Sequence, residues 1–223
     1  IEFLLRCAAL QGLESESGRE ALGMVQRSLA GMSHGGIHDQ VGGGFHRYAV
    51  DDGWVVPHFE KMLSDQAQIA GNLIEAYQFT GDERFAGIAR HLFLYAARDL
   101  RHPQGGFFAG EDADSPTGGD ASARREGAFY LWDYQDIRSG CGEEFDWMAQ
   151  LFGLKPEGNI AATLDPQGEM AGLNVLHQIK SIGEISDASD WRPEAVASRL
   201  EDVLDRLRLH RETRPRPHRD EKI

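Results

Sequence analysis

Between residues 34 and 65 the chain reads HGGIHDQVGGGFHRYAVDDGWVVPHFEKMLSD, which gathers four of its nine histidines, His34, His38, His46 and His58, with Arg47, Tyr48, Trp54, Glu60 and Lys61. Histidine titrates near neutral pH and moves protons, and a guanidinium stabilises developing negative charge. Glycine-rich loops are where such groups are carried on a rigid scaffold. The competing structural reading is a polar loop closed on its own hydrogen bonds and ion pairs. Several titratable types converging beside two aromatics favour a ligand site. His46 and Arg47 rank highest, because they directly follow the bend expected at Gly42-Gly43-Gly44.

A second group lies further along. Glu111, Asp112 and Asp114 form an acidic stretch, and Tyr130 and Trp132 follow it. His38, His46, Arg47, His58, Glu60 and Asp112 are therefore the expected catalytic groups. Tyr48, Trp54, Lys61, Glu111, Asp114, Tyr130 and Trp132 are the expected substrate contacts. Carboxylates can bind hydroxyls and aromatics can stack on a ring, although each aromatic alone reads more readily as core.

Three motif matches carry no function. Gly31-Met32-Ser33-His34-Gly35 fits a nucleophile elbow, but that chemistry requires a strand before the serine, and here a helix is expected. His34 and His38 have the spacing of a zinc helix, yet Gly35 and Gly36 between them break a helix, so no metal is expected. Asp112-Ala113-Asp114 opens like a calcium loop but continues with Pro116 and Thr117, and no Glu stands at the twelfth position. No cofactor is implied.

Helical elements must position these loops. Apolar residues at helical spacing predict helices at about 19 to 33, 59 to 79 and 83 to 100, and another from Pro193 with Val196, Leu200, Val203 and Leu207 on one face. Gly81 and Asp82 suit a left-handed C-terminal cap followed by an N-cap, so the second and third of these helices should form a tight hairpin. Residues 105 to 111 and 127 to 132 read as two short strands around a polar loop at 112 to 126. His34-Gly35-Gly36-Ile37 is echoed by Gln104-Gly105-Gly106-Phe107 about 70 residues later, each after a helix. This weak repeat predicts paired helices around an axis, with loops 34 to 58 and 105 to 132 on one face.

Composition narrows the partners. With 36 acidic against 23 basic residues, the formal charge of −13 opposes a nucleic-acid backbone. No apolar stretch approaches the roughly 18 residues of a membrane span, so no membrane partner is expected. Cys7 and Cys141 stand far apart without a C-x-x-C, which fits a reducing compartment and hence the cytoplasm. Both ends read as cut from a longer chain, so residues 1 to 223 are expected to be part of a larger domain.

PHFEKML at 57 to 63, GGGFHRY at 42 to 48, GGIHDQ at 35 to 40, GEDADS at 110 to 115, EGAFYLW at 126 to 132 and RPRPHRDEKI at 214 to 223 together resemble the spermatogenesis-associated protein family. The chain departs from that pattern at Ser64, Leu173 and Glu221. The resemblance implies a thioredoxin-like domain followed by a six-hairpin, glycosidase-like α/α toroid, of which this chain would be the first part. The fold class expected is thus mainly α, an incomplete toroid with a short β-hairpin in its loops. A relationship to sugar epimerases implies a sugar-like small molecule as substrate, with the thioredoxin-like domain of the same parent chain as a partner. Three functions remain open: a sugar epimerase or isomerase using histidine proton transfer, a glycoside hydrolase using paired carboxylates such as Asp39 and Glu60, and a non-catalytic glycan- or protein-binding module.

Overall fold

A computed structural model describes residues 1–118 and 120–221, with the backbone alone for 120–122. The last two residues of the RPRPHRDEKI motif, 222 and 223, lie outside the described residues. Mainly helical, the chain runs α1 (Glu2–Gln11), α2 (Glu16–His34), α3 (Leu63–Thr80), α4 (Glu83–Tyr95), α5 (Tyr134–Cys141), α6 (Phe145–Phe152), α7 (Ile182–Asp187) and α8 (Pro193–Arg211). Short antiparallel strands fill the loops: β1 (Tyr48–Ala49) with β2 (Pro57–His58), β3 (Lys61–Met62) with β4 (Gly110–Glu111) and β7 (Arg219–Asp220), and β5 (Asp114–Thr117) with β6 (Asp120–Glu126). Among the described residues no helix is long and apolar enough to cross a membrane.

The local rules hold where the sequence was most explicit. Ser15 caps α2 by accepting from the Gly18 N–H. Gly81 closes α3 at φ 68°, ψ 10°, and its N–H donates to the Tyr77 carbonyl; Asp82 then caps α4 through the Arg84 N–H. Two residues thus turn α3 into α4, and Leu73, Ala76, Phe85 and Leu92 bury against Leu5, Val25 and Leu29 of α1 and α2. A second core joins α5, α6, α7 and α8 through Ile137, Met148, Leu151, Ile185, Val196 and Leu207. A third, under the loops, contains Val56, Phe59, Phe129, Tyr130 and Val175.

Several boundaries differ from expectation, each because the backbone has a better partner. The helix expected from residue 59 begins at Leu63, since the preceding segment is extended: the Arg47 N–H donates to the Glu60 carbonyl, and β3 pairs Lys61 with Glu111. The helix expected to reach residue 100 is α-helical only to Tyr95 and ends in a π turn over Ala96–Leu100. Of the strand expected at 127 to 132, residues 127–130 are a turn, with the Tyr130 and Leu131 N–H groups both donating to the Gly127 carbonyl at 2.9 Å, and only Trp132 pairs, in an isolated antiparallel bridge with Asn174. The hairpin lies instead in the segment read as a polar loop, with Asp114 opposite Glu126.

The two Gly-Gly loops do come together. Both contain an isolated antiparallel bridge, His38 with Phe45 and Arg101 with Phe107, and the β3–β4 pairing joins the segments that follow them.

Candidate functional site

The expected site residues separate into a buried set and an accessible set. At the centre of the buried set is Asp39, whose two oxygens take both terminal nitrogens of Arg211 at 2.8 Å each. One oxygen also accepts from Lys61 Nζ at 2.8 Å, and the other from the Val41 and Gly42 N–H groups at 3.1 and 2.9 Å. Lys61 donates further to the Gly43 carbonyl and lies 4.3 Å from the Tyr95 ring centroid and 4.8 Å from that of Tyr130. Such a carboxylate, saturated by two cations and two amides, is held rather than available. Burial alone would raise the Asp39 carboxyl, but Arg211 and Lys61 reverse this and hold it well below the usual range. Lys61, only 1% exposed, is lowered by burial despite Asp39.

The triple glycine is what lets this network close. A Cβ on Gly42 would lie 2.2 Å from an Arg211 nitrogen, and one on Gly44, at φ 75°, would lie 2.4 Å from the Tyr95 ring. The glycines therefore admit Arg211 and an aromatic ring against the backbone.

His38 and His46 are interior groups. His38 Nδ1 donates to the Ser33 carbonyl at 3.1 Å, and its ring stacks on Phe45. Burial, reinforced by His91, lowers its pKa to about 3. His46, 2% exposed, donates from Nδ1 to the Phe59 carbonyl at 2.9 Å and meets the Tyr130 ring edge-on. Burial, with Lys61 next, holds it well below the ordinary histidine value. Both rings are neutral at physiological pH.

Glu111, Tyr130 and Trp132 are also interior. Glu111 accepts from the Tyr95 hydroxyl at 2.8 Å and from Tyr130 at 3.4 Å. Trp132 is fully buried, its face covered by the Arg214 guanidinium at 4.1 Å. Of the two aromatics expected to share a strand face, Tyr130 belongs to a turn and Trp132 to an isolated bridge with Asn174, and both are packed in the interior. Trp54 packs on the first core at φ 59°, with its carbonyl beside Gly35. The residue is half-buried there.

The accessible set is Arg47, Tyr48, His58 and Glu60, together with Glu126. His58 Nδ1 donates to Glu126 Oε1 at 2.6 Å, and the same oxygen accepts the Phe59 N–H at 3.1 Å. The other ring nitrogen, Nε2, lies 3.9 Å from Glu60 Oε2, which is itself bound by Arg47 at 2.7 Å. The exposed Tyr48 ring stacks on His58 with centroids 5.0 Å apart. Tyr48, His58 and Glu126 form one wall of a recess of about 220 Å³, opposite Leu164, Gln167 and Met170. Because a carboxylate only accepts, His58 carries a proton on Nδ1, which fixes the ring orientation with Nε2 towards Glu60.

Asp112 and Asp114 stand apart from this recess. Asp112 is exposed and pairs with Arg124 at 3.3 Å, and it borders a separate acidic hollow of about 350 Å³ with Glu60, Glu111 and His218. Asp114 begins β5 and is exposed. Among the described residues no group of three or more His, Cys, Asp or Glu side chains is arranged to hold a metal ion.

Sequence reading missed Glu126, Arg211 and Asp65. Glu126 sits in the EGAFYLW motif, 68 residues from His58, and no spacing rule links them. Arg211 ends α8, where a basic residue reads as a helix-terminal charge. Asp65, in the first turn of α3, has one buried oxygen without a hydrogen-bond partner among the described residues, and burial raises its pKa.

No protein-family model matches the chain. The human spermatogenesis-associated protein 20 is 39% identical over 220 residues, covering 94% of this chain and 28% of its own length. Its mouse counterpart is 37% identical with the same coverage, and an uncharacterized protein of Caenorhabditis elegans is 34% identical over the whole chain and 32% of its own length. The chain therefore spans about a third or less of the relatives it matches. Identity at this level over 94% of the chain means that this chain belongs to the spermatogenesis-associated protein 20 family.

Proposed function

We propose that this chain is the first part of an α/α toroid domain that acts on a sugar-like small molecule by proton transfer, in the manner of an epimerase or isomerase. The observation that carries the reading is the Glu126–His58 pair, which holds a histidine in one orientation at a recess that Tyr48 also lines. A histidine held in one orientation by a carboxylate, next to an aromatic ring, suits removal of a carbon-bound proton from a polyhydroxylated ligand. Glu126 orients the ring, and Tyr48 offers ring contact.

Hydrolysis fits less well. It requires one carboxyl to stay protonated, whereas Glu60 and Glu126 are each tied to a cationic or N–H donor. A thioredoxin-like domain of the same parent chain is the proposed partner, on the basis of the sequence resemblance.

The test is to incubate the full-length protein with a panel of sugars in heavy water and follow deuterium at carbon. Incorporation at one position supports proton transfer. A new reducing end without incorporation points to hydrolysis, and neither result with any sugar removes the enzymatic reading.

A further inference from the structure

The geometry points to a single resident water, lodged between the Gly-rich loop, the 127–132 segment and the end of α8, that accepts from Trp132 and Arg211 and donates to His38. A cavity of about 20 Å³ lies there, with His38, Tyr130, Trp132 and Arg211 in its wall. That volume holds about one water, which needs at least 10–15 Å³, and it excludes a sugar ring.

The wall contains donors that require an acceptor. Trp132 Nε1 and Arg211 Nε are both fully buried, and among the described residues no acceptor lies within hydrogen-bond reach of either. A buried N–H without a partner costs about 1–3 kcal/mol, so two of them on residues that line one cavity would be exceptional in a native fold. Neither can be relieved by flipping: the Arg211 terminal nitrogens are committed to Asp39, and the Trp132 ring is held under Arg214.

The wall also contains an acceptor. His38 Nδ1 faces the Ser33 carbonyl, which can only accept, so the proton is on Nδ1, and the buried Nε2 has no hydrogen-bond partner among the described residues. Water is the one-atom group that both accepts twice and donates. An anion is disfavoured, because Asp39 already neutralises Arg211 and the His38 imidazole is uncharged. The water would tie together three segments far apart in sequence, and it does so independently of any reaction at His58.

A high-resolution crystal structure of the full-length protein is the test. One isolated density peak within about 3.2 Å of both Trp132 Nε1 and Arg211 Nε is the expected result. An empty cavity, a protein atom occupying it, or density continuous with a larger ligand would each overturn the proposal. Trp132→Phe removes one donor and should weaken the peak in the same crystal form; a peak of unchanged occupancy would also count against it. If the variant does not fold, the wild-type map alone still distinguishes a filled cavity from an empty one.

Discussion

Asp39 and Arg211, 172 residues apart in sequence, meet as a bidentate ion pair with both N–O distances at 2.8 Å and both side chains about 5% exposed or less. The pair fastens the end of α8 to the Gly-rich loop. Removing one partner of a buried pair leaves the other charge uncompensated, which costs about 3–5 kcal/mol. Arg211→Met is expected to destabilise the protein by that order in denaturant unfolding. Because Asp39 also holds Lys61, the double variant Asp39→Asn with Arg211→Met should lose less than the sum of the single losses.

The two buried histidines set a pH dependence. His38 has a folded pKa of about 3, and His46 is likewise far below its unfolded value of about 6.5. Between those limits the unfolded chain binds protons that the folded chain refuses, so stability rises with pH and is lost as pH falls below about 6.5. Each histidine contributes a slope of up to about 1.4 kcal/mol per pH unit. The Asp39 carboxyl, lowered in the fold, adds a further loss once pH falls through about 4. Melting temperature measured from pH 8 to 4 should fall steadily across the lower half of that range. A flat profile would contradict the neutral, buried assignment of both rings.

What the sequence made legible, and what it did not, follows from the range of the forces involved. Gly81 and Asp82 act on their immediate neighbours, so the α3–α4 turn could be read directly. The cluster around His46 was visible as composition, but its division into an interior network and an accessible recess depends on burial by Arg211 and Tyr130, which local pattern does not encode. Aromatic, Gly-bounded residues 127 to 132 look like a strand. Residues 127–130 form a turn because Gly127 at φ 70° allows the chain to curl over Phe59. Residues 114 to 126 are too polar to signal a strand by burial, and their pairing comes from the hairpin alone.

Gly44 should be intolerant of a side chain. At φ 75°, with the Tyr95 ring 2.4 Å from where a Cβ would stand, Gly44→Ala combines backbone strain with overpacking. A loss of about 1–3 kcal/mol is expected. Gly105→Ala is the control, since that glycine also has a positive φ, 101°, but no atom within 4 Å of its Cβ position. The Gly44 variant should unfold at clearly lower denaturant than the Gly105 variant.

His46 and Arg47 are adjacent in sequence but should respond oppositely to truncation. His46→Ala strips the buried Phe59 carbonyl of its imidazole donor and opens a hole beside Tyr130, for an expected loss of about 2 kcal/mol or more. Arg47 is exposed and forms a surface ion pair with Glu60, so Arg47→Ala should leave thermal stability nearly unchanged. Comparing the two melting curves checks the assignment; equal effects would contradict it.

The accessible pair gives the sharpest functional test. Glu126 Oε1 accepts from both His58 Nδ1 and the Phe59 N–H, which pins the imidazole with its proton on Nδ1. Glu126→Gln keeps an oxygen for the Phe59 N–H but removes the charge and offers His58 an amide that can also donate. The ring is then free to take the other tautomer, in which Nε2 carries the proton and cannot act as a base. If His58 is the proton-transfer group, Glu126→Gln in the full-length protein should reduce the rate of deuterium incorporation by about 10²–10⁴-fold, and His58→Ala by at least as much. Both residues are partly exposed, so neither change should lower thermal stability by more than about 1 kcal/mol. Incorporation that survives both substitutions at the wild-type rate would identify the pair as an ordinary surface salt bridge and remove the recess from the mechanism.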